Sequence, residues 1–303
     1  MTARPYLWMI AGSLCFATMG ALSQKLAATA DWRALALVRS TLMAVFAVGI
    51  GLATRAPLTL RGTPTLWMRS VVGSLGMLCT FYTLTHLQFS EATTLLKSYP
   101  LAVAALSWLV LRERPALKVW VAVGLGVAGV VLIARPHFEE SRLAILVGIV
   151  SSFLTAVVML GLNRLGSVDT RTIVTHFSLV ATATCGIAVL LAGGSALPGA
   201  AVLGNARSLS MLLGMGLVGT AGQYAMTRAF ALGEPARVSV VGLSELLFAL
   251  GFDALLLRHG SISLLTLAGM ALVAAPTAWM FASGPASPGS TPRRGSAAPP
   301  VSP

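Results

Sequence analysis

Apolar residues gather into ten runs along the chain. They cover approximately 6–25, 33–53, 65–86, 91–111, 117–134, 142–164, 170–192, 208–230, 236–257 and 263–282. A helix needs about 20 residues, or roughly 17 at the short end, to cross the hydrocarbon core of a bilayer. Every run reaches that length. The apolar positions lie all round each run rather than on alternate residues, which excludes the strands of a membrane barrel. Open sheets fail in lipid because their edges stay unsatisfied. The pattern predicts an all-α polytopic membrane protein with ten transmembrane helices. Met1 to Arg4 is too short for the charged region of a cleavable leader, so the first run is expected to be the first span. Residues 283–303 are rich in Pro, Ser, Gly and Ala, and such a segment is expected to be a disordered tail.

Composition narrows the class further. Hydrophobic residues make up 56% of the 303 and charged residues only 10%, against about 45–50% and about 25% in soluble domains. Mean hydropathy is +0.84. Too few charges remain to cover a water-facing surface. The net charge of +12 would suggest nucleic acid on a soluble domain. Here the basic residues are scattered between the runs and form no patch, so no nucleic-acid partner is expected. They report topology instead. With the N-terminus inside, thirteen fall to inner segments: Arg4, Arg55, Arg61, Arg69, Arg112, Arg114, Lys118, Arg164, Arg171, Arg228, Arg237, Arg293 and Arg294. Outer loops hold Lys25, Arg33, Arg135, Arg142, Arg207 and Arg258. That bias puts both termini in the cytoplasm. Cys15, Cys79 and Cys185 lie inside apolar runs without CxxC spacing, and read as small packing residues.

The chain contains an internal repeat. Gly73, Gly76 and Glu91 map onto Gly216, Gly219 and Glu234 at an offset of 143, and Glu113 and Gly124 map onto Arg258 and Gly269 at 145. Gln24-Lys25-Leu26 matches Asn163-Arg164-Leu165. Each half holds five runs, an odd number, so the second half must lie upside down relative to the first. Inverted repeats of this kind mark secondary transporters, whose site lies between the repeats near the midplane. The expected units are 1–136, an inverted 140–282, and the cytoplasmic tail 283–303.

Particular residues carry a family resemblance. They are Arg39, Phe81-Tyr82, Glu91-Ala92, Tyr99-Pro100, Leu109-Val-Leu-Arg-Glu113-Arg, Gly124-x-Gly126-x-x-Gly129 and Arg135-Pro136. Each half resembles an EamA-type module of the drug/metabolite transporter superfamily. The second half departs from the pattern, with Glu245 where proline is usual and Arg258 where glutamate is usual. The resemblance implies a ten-helix carrier with both termini inside, moving small organic metabolites. It names no substrate.

Four charges fall within runs: Arg39, Lys97, Glu245 and Asp253. Each costs roughly 2.5–3.5 kcal/mol at the centre of a membrane helix, so such groups face a cavity or a partner. Arg39 and Lys97 have stems long enough to snorkel from near a helix end, and that reading stands beside the cavity reading. Glu245 cannot snorkel well and is expected to face the cavity, where it would hold a substrate amine or a coupling proton. Asp253 lies eight residues on, about 80° round the helix. Thr94, Ser98 and Tyr99 flank Lys97. Pro100 removes a backbone donor and is expected to break its span mid-membrane. Tyr82, His176, Gln223 and Tyr224 complete the candidate cavity, although a lone His is more often structural. Gly73, Gly76, Gly216 and Gly219 make smooth faces for helix packing and sliding.

No metal, cofactor or nucleotide motif is present in a fitting context. The expected function is secondary transport of a small organic metabolite, amino-acid-like or otherwise polar, by alternating access with proton coupling as one option, in a bacterial inner membrane. The alternative is a lipid scramblase or membrane-embedded enzyme. A homodimer is left open.

Overall fold

The structure, a computed structural model, describes residues 3–27, 31–56, 62–87, 89–110, 115–134, 142–191, 205–256 and 264–282. Among these are twelve helices and no strands. They are α1 (Arg4–Ala27), α2 (Trp32–Ala53), α3 (Pro64–His86), α4 (Phe89–Leu96), α5 (Tyr99–Val110), α6 (Leu117–Ala134), α7 (Arg142–Arg164), α8 (Thr170–Leu191), α9 (Ala206–Leu232), α10 (Pro235–Gly242), α11 (Ser244–Leu256) and α12 (Leu264–Ala282). The expected tail 283–303, Arg112-Glu113-Arg114, Arg135-Pro136, Arg258 and the side chains of Glu91 and Asp253 lie outside the described residues.

Local chemistry sets the helix starts. Asp31 accepts a hydrogen bond from the Arg33 amide at 2.7 Å and opens α2. Thr63 caps α3 through the Leu66 amide, with Pro64 in the first turn, where its missing N–H costs nothing. Asn205 caps α9 through the Arg207 amide.

The helices follow the apolar runs with one difference. The runs 91–111 and 236–257 are each split in two. The first breaks at Lys97 and Ser98, just before Pro100, where the proline was expected to break it. The second breaks at Leu243, with no proline nearby. At both breaks the backbone tightens into i→i−3 bonds, Ser98 to the Leu95 carbonyl at 3.2 Å and Leu243 to the Val240 carbonyl at 3.1 Å.

Long helices pair across the bundle: α1 with α9, α3 with α7, α2 with α8 and α6 with α12. The broken elements fill the middle. There α5 packs on α7 and α10, and α11 packs on α1. Where α6 crosses α12 a side chain at Gly129 would lie 2.7 Å from the Gly269 carbonyl oxygen. Only glycine allows that approach.

Six stretches are long and apolar enough, by length and composition, to cross a membrane: 4–23, 32–53, 92–110, 142–164, 170–191 and 235–252. Large apolar side chains such as Leu7, Leu109, Leu117, Leu190, Leu191 and Leu264 stand exposed on the outside. Water would not tolerate an apolar belt on that scale, and lipid favours it. The Ser-, Thr- and Gly-bearing α3 and α9 fall outside the six stretches. These two helices lie against the interior of the bundle and supply polar groups to its centre.

Candidate functional site

The two helix breaks come together. Lys97 Nζ lies 2.7 Å from Glu245 Oε2, with both side chains about one-fifth to one-quarter exposed. Each belongs to the turn where its helix is interrupted. Nearby, the Tyr99 hydroxyl donates to the Ser239 carbonyl at 3.3 Å, tying the start of α5 to α10. A β-carbon at Gly242 would collide with that hydroxyl, so glycine lets the two broken helices meet.

Glu245 also lines a central cavity of about 240 Å³. Its wall includes Arg39 from α2, Arg69, Gly73, Gly76 and Thr80 from α3, and Gln223 from α9. Phe16, Met19, Met77, Met159, Phe177 and Met226 supply the apolar part. The cavity could hold about eight waters at roughly 30 Å³ each, the scale of a small metabolite.

Arg69 was expected to mark an inner loop. It is instead the largest fully buried side chain among the described residues, 1% exposed, with its guanidinium 3.9 Å from the centre of the Phe177 ring. Its signal in the sequence is a stripe: Arg69, Gly73, Gly76 and Thr80 fall at i, i+4, i+7 and i+11, one face of α3. Arg237 was also assigned to an inner loop. It is buried in α10 and paired with Glu234 at 2.7 Å.

The remaining sequence candidates divide by location. Arg39, Gln223 and Glu245 share the cavity with Gly73 and Gly76, and Lys97 reaches it through Glu245. Gly219 faces Met19 and Arg39, and Gly216 faces Leu42. Ser98 donates to the Leu95 carbonyl at 2.6 Å and lies 3.2 Å from the Ser152 hydroxyl, which braces the first break. Thr94 is buried in α4 and Pro100 in the first turn of α5. Tyr82 stacks on His86 at 3.9 Å and meets Trp32 edge-on, outside the cavity lining. His176 is buried, hydrogen-bonded to Ser70 through Nδ1 at 2.8 Å and edge-on to Trp67. That is a structural setting, one residue from the cavity-lining Phe177.

Tyr224 lines a different hollow. This second cavity, about 490 Å³, lies where the α7–α8 connection meets α9 and includes Trp8, Asp169, Arg171 and Arg228. Arg171 grips Asp169 with Nε at 3.0 Å and Nη2 at 2.6 Å. Those hydrogen bonds hold the Asp169 carboxyl below the usual carboxylate range. Each hollow thus holds an ion pair, and the smaller, central one has several buried nitrogens without partners. Buried nitrogens of Arg39 (Nε), Arg69 (Nε and Nη1) and Gln223 (Nε2) make no hydrogen bond. Among the described residues no cluster of His, Cys, Asp and Glu could hold a metal ion.

Comparison with known proteins agrees with this architecture. The chain is 27% identical over 271 residues to the pseudopaline exporter CntI of Pseudomonas aeruginosa, covering 89% of this chain and 93% of that one. An uncharacterized transporter of Helicobacter pylori is 26% identical over 214 residues, 70% of this chain and 71% of its own. A solved crystal structure shares the fold with a TM-score of 0.79 at 18% identity, covering 92% of this chain and 97% of its own. Residues 3–135 match the model of the EamA-like transporter family. By these comparisons the chain is a membrane protein whose residues 3–135 are similar to the EamA-like transporter family.

Proposed function

We propose that this protein is a secondary transporter that carries a small organic solute across a bacterial inner membrane by alternating access. The observation that carries the reading is the junction of two interrupted helices, joined by Lys97 and Glu245, beside a polar cavity at the centre of the bundle. Interrupted helices free backbone groups and give a fixed site around which two halves rock.

Ten spans in two inverted repeats are part of the proposal. Exchanging α1, α2 and α3 for α7, α8 and α9 turns the pair α1–α9 into α7–α3 and leaves α2–α8 unchanged, and all three pairs are packed. The glycines support the same exchange. Gly73 faces Phe177 of α8 while Gly216 faces Leu42 of α2, and Gly76 faces Leu154 of α7 while Gly219 faces Met19 of α1. Cytoplasmic termini remain favoured after Arg69 and Arg237 are removed from the inner loops, because eleven basic residues still stand against six.

Purified protein in liposomes is expected to give saturable flux with no ATP present. Lack of flux across a panel of organic acids, amino acids and nucleosides would overturn the proposal. Glu245→Gln is expected to abolish flux or uncouple it from an imposed proton gradient while the protein stays folded. Unchanged kinetics would remove Glu245 from the transport cycle.

A further inference from the structure

We propose, building on the transport reading, that the solute is a small organic oxyanion held by Arg39 and Arg69 with help from Gln223. The argument begins with the acidic groups. Among carboxylates whose side chains the structure describes, Asp31 caps α2, Asp169 binds Arg171, Glu234 binds Arg237 and Glu245 binds Lys97. Each is already engaged. Arg39 and Arg69 share the cavity with one ion pair that is neutral overall, and neither arginine has an ion-pair partner among the described residues. Counting the described side chains, the hollow therefore carries two positive charges more than its acids balance.

Arg69 is not satisfied by its stacking. The Phe177 ring covers one face of the guanidinium, but the five N–H donors point outward in its plane, and the buried Nε and Nη1 have no acceptor. Gln223 is 4% exposed and its Nε2 also lacks an acceptor. Three residues of the cavity wall, on α2, α3 and α9, thus carry buried donors that no acceptor engages in this structure. A buried charge without a partner is costly, and a carboxylate or phosphate is the chemistry that answers planar guanidinium donors in pairs. The rest of the wall favours an organic body over an inorganic ion. Met19, Met77, Met159 and Met226 offer flexible, polarizable contacts. Glu245 is then no amine receptor, because Lys97 already occupies it.

The test uses purified full-length protein in detergent. Four matched sets of probes are added: short-chain mono- and dicarboxylates, organic phosphate monoesters, the corresponding neutral amides and alcohols, and the corresponding amines. Thermal stability and calorimetric Kd are read for each. Members of the carboxylate or phosphate set should raise the melting temperature, and whichever of the two does so identifies the headgroup. Neutral and amine probes should leave it unchanged. Arg69→Gln and Arg39→Gln should each weaken binding by about tenfold or more. Gln223→Glu keeps the shape but supplies the missing acceptor from the protein. It should raise the melting temperature of the ligand-free protein and abolish anion binding, a combination that general damage to the fold would not produce. Stabilisation by amines or neutral probes, no binding by any anion, or a Gln223→Glu protein that binds like wild type would each overturn the assignment. Flux of neutral or cationic solutes without anion binding would leave the transport proposal standing and sink this one. Anion binding without flux of any solute would do the reverse.

Discussion

The α4–α5 and α10–α11 segments are both interrupted, by different means. In the first, Lys97 and Ser98 leave the helix and Pro100 follows. In the second, Leu243 alone is out of register, with φ −65° and ψ −17°, nearly helical values. Proline favours the first break by removing a donor and crowding the preceding turn. It cannot explain the second, where Glu245 stands near the corresponding place. Both breaks do share a contact, the Lys97–Glu245 pair, and a close approach of α5 to α10. The difference teaches that tertiary contact, not local sequence, maintains the interruption in the second half and contributes to it in the first.

Removing one partner of the pair should have the largest effect. A fully buried pair loses about 3–5 kcal/mol when one charge is left alone. Lys97 and Glu245 retain 18% and 25% exposure, so about 1–3 kcal/mol is expected for Lys97→Met or Glu245→Gln by that comparison. The double variant Lys97→Met/Glu245→Met should be more stable than the less stable single, because no charge is stranded. A double-variant melting temperature below both singles would mean that the pair does not hold the breaks together. Exchange of the charges, Lys97→Glu with Glu245→Lys, should recover most of the lost stability.

The same contrast separates what was legible in the sequence from what was not. Helix positions were legible because lipid imposes length and apolarity on each span, and the run 142–164 coincides with α7, Arg142–Arg164. Pro100 announced the first break. Nothing local announced the second, since Gly242-Leu243-Ser244 is unremarkable in a membrane helix and the cause lies on α5. Among the polar candidates, charge placed within a run was the useful signal and led to Glu245, Lys97 and Arg39. Arg69 was hidden by its position. It sits five residues after Pro64, where an arginine ordinarily snorkels to the surface, and only the small-residue face it shares with Gly73 and Gly76 reveals that it turns inward. Tyr224 adjoins Gln223 in sequence but points to another hollow, because successive residues on a helix diverge by about 100°.

A second effect, of similar size, is expected at the meeting of α5 and α10. The last residue of α4 is Leu96, whereas the last residue of α10 is Gly242. At Gly242 a β-carbon would meet the Tyr99 hydroxyl and lie 2.9 Å from Met9 Cε. Gly242→Ala should therefore cost about 1–3 kcal/mol through overpacking. Adding Tyr99→Phe removes the clashing oxygen and should restore part of the stability. Absence of any rescue in a thermal melt would show that the two helices separate rather than press together, and would weaken the case for contact as the cause of the break.

The smallest effect should come from Pro100 itself, although it is the most obvious helix breaker in either segment. It occupies the first turn of α5, where an amide hydrogen is an orphan in any case. Pro100→Ala restores the donor that a continuous helix would send to the Leu96 carbonyl. If proline alone held the break, α4 and α5 would fuse, drawing Lys97 from Glu245 and abolishing flux. The second segment stays broken without a proline, so the contacts at Ser98, Tyr99 and Lys97 should keep the first one broken too. The expected result is a change in stability below about 1 kcal/mol, the usual range for a substitution that creates neither a cavity nor a stranded polar group, with flux close to wild type. A clear rise in melting temperature together with lost transport would reverse the lesson, leaving local sequence in control of the first half and tertiary contact in control of the second alone.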